Sequence, residues 1–430
     1  MASHPIIEEN VGSQANTLIG EFAAVNSDRP TAELTLPVGR EGRNLVVYNA
    51  RSGYGLQEEL DFLTNRALEP NIFFAGRFLA PAMPRLEDRQ IRLLLMRDEI
   101  ESHSRLRLLF PFSIEKPGFS VGPSIMRVWA NPFGPLGTPL VDAEGAAESF
   151  DNLLEGLSAK SLGFPNVLVL PDIRLQGPAT SLLRAVAIAR NLPLTETGHS
   201  ERPMLESTLH AEAYLANALS KNHRREMRRQ WRKLEQIGKL EYVVVRQPRD
   251  VRYHLEEFLT LEDSGWKGRQ RSAMVADRYR AAFAREAING LAENDAVRIH
   301  ALMLDGEAIA SMIVFVTSGE AYTWKTAYNE NYARFSPGKL LMDKLTEWHL
   351  DDFNIQRTDS CAVPDHPIMS RFWTERCAMG TLIIGLTPQA DREVRQVATQ
   401  LHIYRNTRNM ARMIRQKIRS LAHRGGRSHG

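Results

Sequence analysis

Between Arg334 and Lys339 the chain reads RFSPGK, after a β-rich run and ahead of an amphipathic stretch. Residues of these types at a helix start suit an anion, because the first turn offers unpaired N–H groups and a partial positive charge. Ser336 is placed to cap the helix and Pro337 suits its first position. Gly338 lets a ligand approach the backbone, while Lys339 adds a point charge. The same letters also read as an ordinary Ser-Pro helix start. A second constellation, TDSCAVPDHP, runs from Thr358 to Pro367. On a strand, Asp359 and Cys361 share one face and Ser360 takes the other. Asp365 and His366 follow in the loop beyond. His366, whose ring titrates near neutrality, is the first candidate for taking a proton, and Asp359 the second. Asp365 reads equally as a cap for a helix starting at His366-Pro367. Cys361 reads better as a small buried residue than as a nucleophile.

Further candidates surround these. In SGWKGRQRS, Trp266 and Lys267 could clamp an acyl or nucleotide group by stacking and charge, or Trp266 could simply close a helix pair. On AYTWKTAY, alternation puts Trp324, Thr326 and Tyr328 on one face and Thr323, Lys325 and Ala327 on the other. A central-strand lysine is costly to bury unless it faces a cleft or an anion, so Lys325 joins the ligand-binding candidates, an edge strand being the alternative. Asn71 and Phe73 in LEPNIFF and Thr138 in NPFGPLGTPL lie in turns of a kind that often lines clefts. They are expected to face an interdomain groove and shape an acceptor site, or else to be rigid turns with buried Phe. Cys361 and Cys377 are the only cysteines, too few for a disulfide framework or a zinc site, and no metal is expected.

The elements that must position these residues are legible from periodicity. The chain has 430 residues, 43% hydrophobic and 24% charged, which suggests two domains of globular composition. No apolar run approaches the ~20 residues of a membrane helix, and the N-terminus lacks a signal-peptide layout, so a cytoplasmic protein is expected. Residues 1–40 read as a loose lead-in. Over 41–195 come a strand at NLVVYNA, a helix at LQEELDFLTNRAL, two strands, a helix, the strand NVLVLPDI and another helix. NLPLTETGHSERPML reads as a linker. Over 196–390 a long helix ends at Gly238, and a strand and two helices follow. Next comes a meander with hairpin signals at Asp305-Gly306 and Ser318-Gly319. Then come the RFSPGK helix, a strand, a short helix and a last strand. The two halves share an element order without any repeat of residues. Net charge is only +3, yet KNHRREMRRQWRKL carries seven Lys and Arg against Glu226. Arg224, Arg225, Arg228, Arg229 and Arg232 form a broad positive helix face, suited to phosphates, RNA or an acidic glycan, or simply solvated. Residues 391–430 read as a basic amphipathic helix and tail.

This order, with LEPNIFF, NPFGPLGTPLVD, EDSGWKGR, YNENYARFSPGKLL and TDSCAVPDHPIMSRFWTER, resembles the CelD-like group of GNAT proteins. These are relatives of Fem-type peptidyltransferases that carry two such domains in tandem. The resemblance spans about residues 44 to 388. It implies an α/β fold of tandem GNAT-like domains, each a largely antiparallel sheet flanked by helices, the first degenerate. It also implies an N-acyltransferase taking its acyl group from acyl-coenzyme A to an amine, in polysaccharide or cell-envelope synthesis. In such enzymes a turn of Gln or Arg, two residues, Gly, one residue and Gly or Ala holds the coenzyme A pyrophosphate. Here Arg334 fits, but Pro337 and Lys339 replace the small residues, and Pro337 removes an N–H donor. His366 or Asp359 would then assist proton removal, and N–H groups near Trp324–Tyr328 would polarise the thioester carbonyl. Two other readings stand beside this one: a Fem-like transferase using aminoacyl-tRNA, and a non-catalytic GNAT-fold protein binding through its basic helix.

Overall fold

The computed structural model describes residues 23–24, 29–87, 89–100, 103–118 and 122–407. The first part of the chain contributes β1 (Ala23–Ala24), β2 (Leu34–Pro37), β3 (Arg43–Asn49), α1 (Gln57–Arg66), α2 (Gly76–Leu86), β4 (Arg92–Ile100) and β5 (His103–Glu115). There follow β6 (Ile125–Val128), β7 (Leu140–Val141), α3 (Ala146–Ser158), β8 (Val167–Arg174), α4 (Pro178–Ala189) and β9 (Leu194–Leu205). The second part begins with α5 (Ala211–Ala218), α6 (Lys221–Glu235), β10 (Leu240–Val245), α7 (Pro248–Ser264), α8 (Trp266–Arg269) and α9 (Arg278–Glu293). It ends with the meander β11 (Val297–Leu304), β12 (Glu307–Thr317) and β13 (Glu320–Tyr328), then α10 (Pro337–Asp351), β14 (Arg357–Asp359), α11 (Met369–Phe372) and β15 (Glu375–Gly385).

One sheet runs through both halves in the order β10-β11-β12-β13-β14-β9-β15-β8-β6-β5-β4-β3-β2. Apart from short additions, both halves follow one plan: strand, two helices, three antiparallel strands, helix, parallel strand, helix, strand. β13 pairs parallel with β14, and β6 pairs parallel with β8. The last strands are exchanged: β9 lies against β14 and β15 against β8, while β9 and β15 pair antiparallel at the centre. The order is therefore symmetric about the β9–β15 seam. The fold class expected from sequence is thus the observed one, a mixed α/β architecture with a large, mostly antiparallel sheet.

Several expectations are corrected. The stretch expected to be a linker is β9, with partners on both edges; pairing there overrides its polar, turn-rich composition. The expected lead-in contributes the edge strand β2, paired to β3. α2 holds Pro81 and Pro84, whose stop signals concealed it. The long basic helix is two, broken where the Ser220 hydroxyl accepts the His223 N–H at 3.2 Å to start α6. Both hairpin signals sit at turns with two consecutive positive φ values, 52° and 84° at Asp305-Gly306 and 46° and 77° at Ser318-Gly319. Residues 391–407 are helical and dock through Val394 and Val397 on Ile125, Val167, Val169 and Ile383. The remainder of the basic tail, 408–430, lies outside the described residues.

One core cluster gathers Leu60, Phe78, Phe258, Phe283 and Phe315 under α1, α2, α7 and α9. A second lies between β11–β13 and α5, α6, α10 and α11. Beside it, His300 and His349 are buried with ring centroids 5.4 Å apart. His300 Nδ1 meets the Tyr242 hydroxyl at 2.6 Å and His349 Nδ1 the Thr358 hydroxyl at 2.8 Å. Burial pulls both rings below the ordinary histidine value, His349 to about 3. Their neutral forms belong to the folded chain, so their contribution is complete above about pH 6.5 and drains as pH falls, when the unfolded chain binds protons that the folded one refuses. Each should cost about 1.4 kcal/mol per pH unit in that window. Asp343, raised to about 6 by burial and Glu347, acts in the opposite sense. His349→Gln should therefore flatten the fall in urea midpoint between pH 6.5 and 5 relative to the native chain; parallel curves would rule out His349 as the source.

Candidate active site

β13 and β14 are hydrogen-bonded in parallel only from Glu320↔Arg357 to Tyr322↔Asp359. The Thr323 hydroxyl then donates to Ser360 O at 2.8 Å, while β13 continues to Tyr328 and the other chain turns away through Cys361 at φ 48°. The strands diverge into a wedge. At its apex Asp359, fully buried, accepts from Arg174 at 3.0 Å, Arg202 at 3.3 Å and its own loop's Cys361 N–H at 2.7 Å. Burial would raise its pKa, but Arg202 and Arg174 overcome this and hold it at about 2. A carboxylate with both oxygens engaged fixes the apex and does not suit proton removal. Glu320 joins it, bonded to Arg174 and, at 2.8 Å, to Arg357. Burial and the neighbouring Asp359 charge push the Cys361 thiol up, away from the reactive thiolate.

Past the apex, His366 is half-buried, and its Nδ1 accepts the Met369 N–H at 3.2 Å. Burial lowers its pKa, so the ring is neutral with its proton on Nε2. The free nitrogen then donates, which suits an oxyanion or phosphate better than proton removal.

The RFSPGK motif forms the wedge's other mouth. A 3-10 turn, Glu330–Phe335, precedes α10. Ser336 occupies the N-cap position with φ 54°, yet its hydroxyl makes no capping bond; its carbonyl accepts from Lys339 and Leu340 instead. Since Pro337 has no N–H, Gly338 is left as the first-turn donor. A side chain added there would meet nothing closer than Tyr328 Cδ1 at 3.9 Å, so the space beside its Cα is open. Cations gather around it. His223 is held below the ordinary histidine value by burial and by the Arg371 and Lys339 charges. Its Nε2 is buried without a partner among the described residues. The Arg334 guanidinium stacks over Phe335 at 4.7 Å.

The opposite side of β13 carries the third group. A bulge between Ile313 and Val314 of β12 leaves Trp324 as an extra residue on β13. It puts Trp324 and Lys325 on one face, where simple alternation separates them. Lys325 Nζ lies 4.6 Å from the Phe133 ring centroid and 5.8 Å from that of Trp324. Burial pulls the ammonium down to about 8. Lys267 Nζ donates to buried Glu262 and to Thr326 O, at 2.9 and 2.8 Å. Trp266 is exposed, and its N–H is held at 2.9 Å by Glu330, which also pairs with Arg269. Lys325, placed among the cofactor candidates by sequence, thus faces the α7–α8 side instead of α10.

Asn71, Phe73 and Thr138 are 0, 1 and 0% exposed and cannot line an acceptor site. Asn71 Nδ2 donates to Leu136 O and Thr138 O, pinning the segment 129–139, and Phe73 packs edge-on against Phe78, Phe315 and Tyr322. What enters the site from the N-terminal half is Phe133, whose carbonyl accepts the Trp324 indole N–H at 2.6 Å. Phe133, Glu262, His223 and Arg371 were not singled out by sequence, although each lies in a stretch that was. A cleft of about 1040 Å³ lies at the other end of β13 and touches none of these residues. Its charges pair with one another, Arg77 with Asp61 and Arg246 with Asp295. Among the described residues, no group of three His, Cys, Asp or Glu could hold a metal, and no helix is long and apolar enough to cross a membrane.

Comparison with known proteins bears on this geometry. No curated protein matches the chain. Among solved structures, that of FemX is similar with a TM-score of 0.51 at 10% identity, over 77% of this chain and 96% of FemX. The C-terminal domain of a putative lysylphosphatidylglycerol synthetase from Agrobacterium fabrum is similar at TM-score 0.47 and 12% identity, covering 81% and 97%. A tandem GNAT protein from the clavulanic acid biosynthesis pathway gives 0.36 and 12%, covering 80% and 99%. The family described as acetyltransferase (GNAT) domain matches residues 221–361, from the start of α6 to the end of the wedge. Residues 221–361 thus match a GNAT acetyltransferase domain, within a fold similar to that of FemX.

Proposed function

We propose that the protein is a cytoplasmic, CelD-like N-acyltransferase that moves an acyl group from acyl-coenzyme A to an amine acceptor, in polysaccharide or envelope synthesis. The observation that carries this reading is the β13–β14 wedge opening beside a helix start where Lys339 and Arg371, which form no ion pair among the described residues, act on His223. The donor's phosphates would meet the Gly338 N–H, Lys339, Arg371 and His223, with Arg334 and the Ser336 turn shaping the approach. The thioester would lie in the wedge along β13. The acceptor would enter from the side of Trp266, Lys267 and Lys325. Its nitrogen attacks the thioester carbonyl, the N–C bond forms, the C–S bond breaks, and the thiolate leaves and takes a proton. Lys325 is the group poised to accept the amine's proton, since burial has brought it near neutrality. His366 Nε2–H is placed as a donor, and Asp359 holds the apex. The outward arginines of α6, Arg225, Arg228 and Arg232, form no ion pair among the described residues and favour a second reading, an aminoacyl-tRNA donor.

Calorimetric titration with acetyl-coenzyme A should show binding at one equivalent per chain, because the N-terminal half's matching wedge is filled by 129–139, where the Gly137 N–H donates to Asp172 O. Lys339→Ala should weaken it about tenfold, the worth of one charged hydrogen bond. No binding at millimolar donor would sink the reading, and binding of aminoacyl-tRNA that falls steeply with salt would replace it. In turnover, Lys325→Met and Lys325→Arg should both lose the limb that rises with pH through about 8. A Lys325→Arg variant that kept full activity would show that only charge is needed there.

A further inference from the structure

The N-terminal half does more than brace the site. In it, β6 and β7 both pair with β5, Val128 with Phe112 and Leu140 with Leu109, so they are two pieces of one strand. Residues 129–139 leave that line and return to it. In doing so they occupy the space beside β8 that corresponds to the open wedge beside β14. Gly137 fits there only as glycine, since a Cβ would stand 2.1 Å from Pro171 O. The excursion's tip is tied twice: Arg202 of the exchanged strand β9 donates to Pro135 O at 2.8 Å, and the Trp324 indole of the other half donates to Phe133 O at 2.6 Å. These ties set the half-exposed Phe133 ring against the Lys325 ammonium.

We propose that Phe133 is a positioning residue for Lys325, so that the acceptor side of the site is built jointly by the two halves. The inference rests on the acyltransferase reading for its consequence in turnover, but not for its geometry. Lys325 forms no salt bridge among the described residues; the charged groups that act on it are Glu262 from α7, Lys267 from α8 and Arg280 from α9. Glu262 is already engaged by Lys267 Nζ and by the Met274 N–H. The Phe133 ring face, nearer at 4.6 Å than the Trp324 ring at 5.8 Å, is therefore the main group that holds the ammonium in place and keeps water from it. A lysine stem has four rotatable carbons, and without the ring it would swing into solvent. The ring's position depends in turn on Gly137 and Asn71, residues that never touch a ligand.

The test uses the full chain and needs no acceptor. Labelling of Lys325 by an amine-selective acylating reagent is followed against pH and quantified on its peptide by mass spectrometry. The native chain should show a reactivity midpoint near 8. In Phe133→Ala the midpoint should climb toward the ordinary lysine value of about 10.4, and Phe133→Tyr should restore it. Phe133→Leu keeps most of the volume without the ring and serves if the alanine variant does not fold; it should shift the same way. A midpoint that is unchanged in the alanine or leucine variant overturns the proposal. Donor affinity separates the two readings. If Phe133→Ala binds acetyl-coenzyme A as tightly as the native chain but turns over more slowly, both stand. If the native chain binds no donor while the midpoint still moves, the acyltransferase reading fails and the positioning role survives.

Discussion

Arg174 from β8, Arg202 from β9, Glu320 from β13 and Arg357 and Asp359 from β14 converge where water is nearly excluded. Taking an ion out of water costs several kcal/mol, recovered only where geometry is good and the remaining lone pairs are used. Here Asp359 has three donors, and Glu320 is shared by two guanidinium groups. Truncating one partner would strand a buried charge, worth about 3–5 kcal/mol in comparable cases. The cluster therefore allows few alternative arrangements. It spans the paired stretch of β13 and β14, from Glu320 and Arg357 at its start to Asp359 at its last pair, so it fixes where the wedge begins. It also draws in the exchanged strand β9, so both halves depend on it.

That exchange gives the network its reach. Were β9 to pair only with its own half, Arg202 would be remote from Asp359. Because β9 flanks β14, its arginine reaches the apex through Nη1 while Nη2 holds the Pro135 carbonyl. One side chain thus couples the wedge's origin to the segment that carries Phe133. The Tyr322 hydroxyl adds a similar tie, donating to Pro70 O at 2.9 Å. The site's two walls are set by the same few polar contacts.

Periodicity and turn chemistry made much of this legible. The meander, its two Gly-containing hairpins and the helix after RFSPGK follow from local rules, because each depends on residues within one or two turns. What stayed hidden depends on distant partners. LTETGHSERPML has no strand alternation, and it is a strand because β14 and β15 supply its bonds. The bulge that turns Trp324 and Lys325 to one face arises from register against β12, which no reading of AYTWKTAY alone contains. Asn71, Phe73 and Thr138 sit in turns that resemble cleft walls, but each is consumed in holding the neighbouring turn. Asp359 was legible as an important acid, and only its arginines, 185 and 157 residues away in sequence, show why it stays ionised.

The near-symmetry of the two halves turns a difference between them into a statement about function. Both contain a meander, a helix and a parallel strand, so both possess the framework for a wedge. In the second half, a left-handed Ser336 is followed by a helix start with open space at Gly338. In the first, a left-handed Gly145 precedes α3, but the chain between β6 and β7 has filled the gap beside β8. A filled wedge cannot take a ligand, yet its filling reaches the neighbouring half's β13 and lies against Lys325. A duplicated framework in which one copy stays open while the other supplies its wall accounts for the glycine at 137 and for the ties that Arg202 and Trp324 make to the filling segment.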